Sequence, residues 1–204
     1  MVNPPWDQRL ARFLVKPLVN TPVTPNQLTV LILLVALAGA GLLAHGGAVE
    51  ANWGAGVFAL ARFMDHCDGE LARQKGMTSR LGYYLDYISG TLSYGALFLC
   101  IGIGLRDSDL GQWAIALGAV GILSAAISMF TNLDIDKRSK EIADAGKDAI
   151  GYPAFAGFEL EDGIYLIAPI TWLGFLQPFF VLAGIGSAVY CLWTLWTLIR
   201  LRRG

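Results

Sequence analysis

The sequence predicts an all-α integral membrane protein: six transmembrane helices preceded by a short amphipathic helix lying in the membrane interface. Composition is the first observation behind this. Of 204 residues, 55% are hydrophobic and only 15% charged, where a soluble domain carries roughly 25% charged residues. The second is the recurrence of apolar runs about 20 residues long, the length that crosses a hydrocarbon layer about 30 Å thick. The third is the segregation of cations. With six spans and the N-terminus inside, 13 of the 15 Lys and Arg fall on the cytoplasmic side, leaving Arg106 outside and Arg62 within a span. Five or seven spans would spoil that segregation.

The elements follow in order. Residues 6–18 place Trp6, Leu10, Phe13 and Leu14 on one helical face and Arg9, Arg12 and Lys16 largely on others, the pattern of an interfacial helix. Thr24 is a natural N-cap with Pro25 at the first helical position, opening a span over 28–45. This run imitates a signal peptide, with AHGGA as a cleavage site, but the preceding 27 residues are too long and proline-rich for a leader's basic region. Further spans are expected at 48–68, 82–104 and 110–132. The apolar stretch 163–199 is too long for one crossing, and Gln177-Pro178 is expected to divide it into 163–176 and 178–199. Many of the 24 glycines lie inside spans (Gly54, Gly56, Gly102, Gly104, Gly184, Gly186), where small residues let helices pack closely.

Some function classes are excluded at this level. A net charge of −1 points to no polyanionic partner, and nothing suggests nucleic acid. Cys67, Cys100 and Cys191 are too far apart for zinc spacing or a disulfide framework and read as small buried hydrophobes.

The chemistry gathers between Asp65 and Gly90, in the stretch DHCDGELARQKGMTSRLGYYLDYISG. Asp65 and Asp68 are three residues apart and share a helix face; Gly82 and Asp86 share a face of the next helix. Two faces then point acids at one volume. Oxygen-only ligands suit Mg²⁺ or Mn²⁺ rather than zinc, and acids at membrane depth mark a functional site.

These intervals resemble the CDP-alcohol phosphotransferase family, whose pattern is D-x2-D-G-x2-A-R-x8-G-x3-D-x3-D. Asp65, Asp68, Gly69, Ala72, Arg73, Gly82 and Asp86 match it, and TPNQLT at 24–29 resembles the family's opening of its first transmembrane helix. The resemblance implies transfer of a substituted phosphate group from a CDP-alcohol, such as CDP-diacylglycerol, to an acceptor alcohol with release of CMP, in phospholipid synthesis. It implies Asp65, Asp68 and Asp86 as metal ligands, with two ions in an intact site. Asp65, Gly69, Ala72, Arg73 and Gly82 would contact the CDP donor, Gly69 and Ala72 by leaving room for the nucleotide. Arg73 would pair with the acids or the diphosphate. It further implies a homodimer. The segregation of Lys and Arg puts the termini and the site on the cytoplasmic side, with a bacterial or archaeal inner membrane expected.

One position departs from the pattern. Where the family carries its last Asp, the general base and a ligand of the second metal, this sequence has Gly90. Glycine offers no proton acceptor. Three explanations stand side by side: an Asp replaced so as to inactivate the protein, a natural variant using another base or an already ionised acceptor, or loss of transferase activity. His66 and Glu70 are the nearest alternative bases. The rival class is a membrane protein that binds CDP-lipid or metal and transfers nothing. A transporter is less favoured, since the acids gather at the end of a span.

Two further stretches are charged. Residues 133–151 are expected to form a loop in which Lys137, Arg138, Lys140 and Lys147 set topology or hold anionic groups. Glu159, Glu161 and Asp162 precede the fifth span and either line the cavity or serve as helix-start acids. Trp172, Trp193 and Trp196 read as interface or packing aromatics.

Overall fold

The computed structural model describes the backbone of residues 6–144, 154–155 and 158–203, and the side chains of 9–139 and 163–202. Helix α1 (Trp6–Leu14) and the single turn α2 (Lys16–Val19) precede four long helices: α3 (Pro25–Ala44), α4 (Ala48–Lys75), α5 (Arg80–Gly104) and α6 (Gln112–Asp144). A two-residue antiparallel pair, Ala154–Phe155 with Phe158–Glu159, and a 3₁₀ segment (Leu160–Leu166) lead into α7 (Ile167–Trp172) and α8 (Leu176–Arg203).

Local chemistry sets the ends that matter. Thr24 Oγ1 accepts the Gln27 N–H and Gln27 Oε1 accepts the Thr24 N–H, a reciprocal capping box with Pro25 in the first turn. Helix α4 stops at Gly76, whose φ of 64° is left-handed and which therefore favours glycine. Ser79 then caps α5 by accepting the Gly82 N–H at 3.0 Å. Four residues separate the two helices, so their adjoining ends are held side by side.

Small residues let the helices meet. A Cβ on Gly39 would lie 2.8 Å from Phe58 N and one on Gly54 2.7 Å from Gly39 O, fixing α3 antiparallel to α4. Gly104 abuts Leu43, so α5 runs parallel to α3. Gly102 meets Ala114 and Gly118 meets Phe98, setting α6 antiparallel to α5. Gly184 packs on Leu117, a Cβ on Gly56 would meet the Trp172 ring at 3.5 Å, and one on Gly186 would meet none of the described residues within 4 Å. Phe58, Ile32, Leu43, Leu71, Leu97, Ile101, Ile167 and Phe180 fill the core.

Among the described residues, four helices are long and apolar enough to cross a membrane: α3, α5, and the stretches Gln112–Ser139 of α6 and Leu176–Arg202 of α8. Helix α4 has the length, 28 residues, but its second half carries Arg62, Asp65, Asp68 and Glu70. The apolar helix expected over 163–176 is only Gly163–Trp172. Its neighbours show its course: Tyr165 OH lies 3.1 Å from His66 Nε2 near one end of α4, and Trp172 Nε1 donates to Asn52 O near the other. It therefore runs antiparallel beside α4. Helices α6 and α8 are parallel, since Leu117 meets Gly184, Thr131 bonds Thr194 and Asp134 pairs with Arg202.

Two expectations are corrected. The break in the last apolar stretch falls at Leu173–Phe175, with Gly174 at φ 82°, and Gln177-Pro178 belongs to the first turn of α8. Proline is tolerated there because its missing N–H would be unbonded anyway. The stretch 133–151 is not a loop up to residue 144 but the last turns of α6. It contains no Gly or Pro before Gly146, and its first two acids are anchored: Asp134 by Arg202 and Asp136 by Tyr83 and Tyr87. Lys147 and the side chains of Lys140, Glu159, Glu161 and Asp162 lie outside the described residues.

Candidate functional site

The ends of α4 and α5 joined by the short turn bring Asp65, Asp68 and Asp86 together. One carboxylate oxygen from each lies within 4.8 Å of the others. Asp68 is buried, Asp65 half-buried and Asp86 exposed, so the cluster opens outward on the α5 side.

Asp68 and Asp65 have different anchors. Asp68 Oδ2 accepts the Thr29 hydroxyl of α3 at 2.5 Å, and its Oδ1 accepts the Gly69 N–H at 2.5 Å. Asp65 Oδ2 pairs with Arg62 Nη2 at 3.2 Å, and the Arg62 guanidinium lies 4.7 Å above the Tyr94 ring. Asp65 Oδ1 is buried and has no hydrogen-bond partner among the described residues. A buried carboxylate oxygen without a partner is costly, and a bound cation would satisfy it. Three clustered carboxylates, one of them carrying an unpartnered oxygen, fit a hard divalent ion.

The remaining motif residues surround this cluster. Arg73 does not turn to the acids. Its Nε and Nη2 donate to Glu70 Oε2 at 3.0 and 2.8 Å. A Cβ on Gly69 would meet Arg73 Nη1 at 3.5 Å, so the guanidinium lies along Gly69. Ala72 is half-buried on the same helix. A Cβ on Gly82 would meet Asn26 Oδ1 and Ser79 Oγ at 3.2 Å, a close approach of α5 to the start of α3. Gly90, one turn beyond Asp86, has nothing within 4 Å of its Cβ direction.

The alternative bases are engaged. His66 Nε2 lies 3.1 Å from the Tyr165 hydroxyl. Glu70 accepts two hydrogen bonds at each oxygen, from Arg12 and Gln74 at Oε1 and from Arg73 at Oε2. Burial pushes the Glu70 carboxyl up, but the bonds from Gln74, Arg73 and Arg12 outweigh it and hold it below the ordinary glutamate value. It lies past the expected 48–68 span, and its full set of donors argues against a role as base.

Sequence reasoning missed Thr29 and Arg62 as supports of the acids, and the Asp136–Tyr83–Tyr87 contact between α5 and α6. Arg62 carried a readable signal, three residues before Asp65 on one helix face. Thr29 and Asp136 meet their partners across helices, which spacing does not reveal.

Fold and site define a multi-pass α-helical membrane protein with a carboxylate cluster suited to a divalent metal. A family model described as CDP-alcohol phosphatidyltransferase matches residues 22–198. The chain belongs to that family, whose enzymes make phospholipids by moving a substituted phosphate group from a CDP-alcohol to an acceptor alcohol. It is 28% identical over 189 residues to an archaetidylinositol phosphate synthase of Pyrococcus horikoshii, covering 86% of this chain and 92% of that protein. It is 33% identical over 140 residues to a bifunctional IPC transferase and DIPP synthase of Rubrobacter xylanophilus, covering 69% of this chain and 23% of that longer protein. Its fold is similar to the crystal structure of Mycobacterium tuberculosis phosphatidylinositol phosphate synthase with CDP-DAG bound, with a TM-score of 0.61 at 21% identity over 93% of this chain and 94% of that one. The same enzyme with manganese and citrate superposes with a TM-score of 0.50 at 22% identity, over 94% of this chain and 89% of that one.

Proposed function

We propose that the chain binds a CDP-linked lipid through a divalent metal held by Asp65, Asp68 and Asp86, and that its acceptor is an inositol phosphate. The observation that carries this reading is the convergence of carboxylate oxygens from Asp65, Asp68 and Asp86 within 4.8 Å, with Asp65 Oδ1 buried and without a hydrogen-bond partner among the described residues. The acceptor class rests on the names of the relatives, which include the archaetidylinositol phosphate synthase of Pyrococcus horikoshii and a phosphatidylinositol phosphate synthase of Streptomyces avermitilis. Bound Mg²⁺ or Mn²⁺ would offset the diphosphate charge and stabilise the CMP leaving group. In a complete site two ions are expected.

The chain's own groups orient that chemistry. Thr29 and the Gly69 amide fix the Asp68 carboxylate. Arg62 lowers the repulsion between Asp65 and its neighbours. Gly90 supplies no base, so the acceptor proton must leave by another route or the transfer is slow. That residue also favours a second reading, a membrane protein that binds CDP-lipid without transferring its phosphate group.

The parallel course of α6 and α8 requires the chain to return between them, and the apolar Gly163–Trp172 segment, too short to cross alone, forms part of that return. With α4 as the second crossing and this return as the fifth, the count is six. The acids, the end of α1 and the ends of α6 and α8 then share the cytoplasmic side, with most of the Lys and Arg. A homodimer is the assembly expected of the family.

The test is CMP release by purified protein and its Gly90→Asp variant, with CDP-diacylglycerol, with and without inositol phosphate and Mn²⁺. Turnover that requires both acceptor and metal supports the transferase reading. CDP-lipid binding without CMP release by either protein supports the binding reading. Turnover unaffected by metal removal sinks the metal assignment.

A further inference from the structure

Glu70 is 4% exposed, and it stands outside the carboxylate cluster. A buried carboxylate is retained only where donors satisfy it, and those at Glu70 come from two directions. Arg73, one turn along α4, gives Nε and Nη2 to Oε2. Arg12, on α1, gives Nε to Oε1 at 3.1 Å. Gln74 closes the arrangement, its Nε2 donating both to Glu70 Oε1 and to the Arg12 carbonyl.

This geometry has a consequence at the site. With Nε and Nη2 committed, the edge of Arg73 that remains is Nη1, which lies along Gly69, the residue that follows Asp68 in the chain. Helix α1 meanwhile buries Ala11 against the bundle, as does Val15 just after it, and leaves Leu10, Phe13 and Leu14 exposed, a face that seats in the membrane interface.

We propose that Glu70 and Arg12 are positioning residues: together they hold Arg73 so that its Nη1 edge faces an anionic diphosphate next to the metal cluster, making the interfacial helix α1 part of the donor site. This rests on the transferase reading above. Arg12 acts through Arg73 and touches no substrate.

A double-mutant cycle tests it in the full-length protein in detergent, with CDP as the probe in the presence of Mn²⁺ and Mn²⁺ alone as the control. Arg12→Ala and Glu70→Gln should each weaken CDP binding roughly ten-fold and leave Mn²⁺ affinity unchanged. Arg73→Ala should weaken CDP at least as much, and adding Arg12→Ala to it should cost nothing more. Additive losses, parallel losses of Mn²⁺ affinity, or unaltered CDP binding in Arg12→Ala would each overturn the proposal while leaving the transferase reading standing. If the unaltered protein binds Mn²⁺ but no CDP, the transferase reading falls and this proposal with it.

Discussion

The Thr29 hydroxyl lies 2.5 Å from Asp68 Oδ2, joining α3 to α4 at the metal cluster. It also lies 3.1 Å from Pro25 O, yet it has one proton to give, and the carboxylate is the stronger acceptor. Both residues are buried, so water cannot take over that bond. Thr29→Val keeps the shape and removes the donor. Mn²⁺ affinity, read by electron paramagnetic resonance, should fall on the order of ten-fold, and Thr29→Ser should retain it. Equal affinity in Thr29→Val would show that Asp68 is oriented by Gly69 alone.

Gly90 is the departure with the clearest outcome. Its Cβ direction is open to 4 Å, so Gly90→Asp enters without a backbone clash, while the added charge beside three carboxylates should lower the metal-free unfolding temperature, a loss that Mn²⁺ reverses. If the acid serves as base there, CMP release should rise by roughly 10² to 10⁴. A rate unchanged by the substitution would place the base elsewhere.

The acid positions were legible because each helix carries its own share of the site. Asp65 and Asp68 are linked by spacing along α4, and Asp86 by its interval from Gly82 on α5. The capping box at Thr24 was half legible: the Thr-Pro start could be read, the return bond from Gln27 could not. What escaped depends on contacts between helices. Asp134 and Asp136 look like solvated loop charges in isolation, yet α6 continues through them because Arg202 and the Tyr83–Tyr87 pair receive them. The short helix ending at Trp172 escaped for another reason: an apolar run records lipid exposure but not where Gly174 turns the chain.

Metal binding should be visible without turnover. Three close carboxylates repel one another until a cation sits between them, so Mn²⁺ should raise the unfolding temperature. At a hundred-fold excess over the dissociation constant the gain is about 2.7 kcal/mol. A chelator should reverse it, and Asp68→Asn should remove it. An equal shift in Asp68→Asn would place the ion outside this cluster.

Arg62 should oppose the metal while supporting the empty site. It shares Asp65 Oδ2 at 3.2 Å and is itself nearly buried over Tyr94. Arg62→Gln removes a positive charge that competes with the cation. The metal-free protein should unfold at lower temperature, and the Mn²⁺-induced rise should be larger than in the unaltered protein. A smaller rise would mean that Arg62 holds Asp65 in its ligating position.

The alignment of α3 with α4 decides whether Thr29 and Asp68 can meet, and Gly39 controls it. A Cβ there would lie 2.8 Å from Phe58 N and 3.0 Å from Gly54 O, both backbone atoms that cannot step aside. Gly39→Val must force the helices apart and should cost about 1–3 kcal/mol. Gly41, two residues along α3, has open space at the same position, so Gly41→Ala should be neutral or stabilise by up to about 1 kcal/mol. Thermal unfolding of the two variants in one detergent checks the contrast, and Mn²⁺ titration of each follows it to the site. The Gly39 variant should bind Mn²⁺ more weakly, because separating the helices lengthens the Thr29–Asp68 bond. If it loses stability but binds Mn²⁺ as before, the α3–α4 crossing and the metal cluster are mechanically independent.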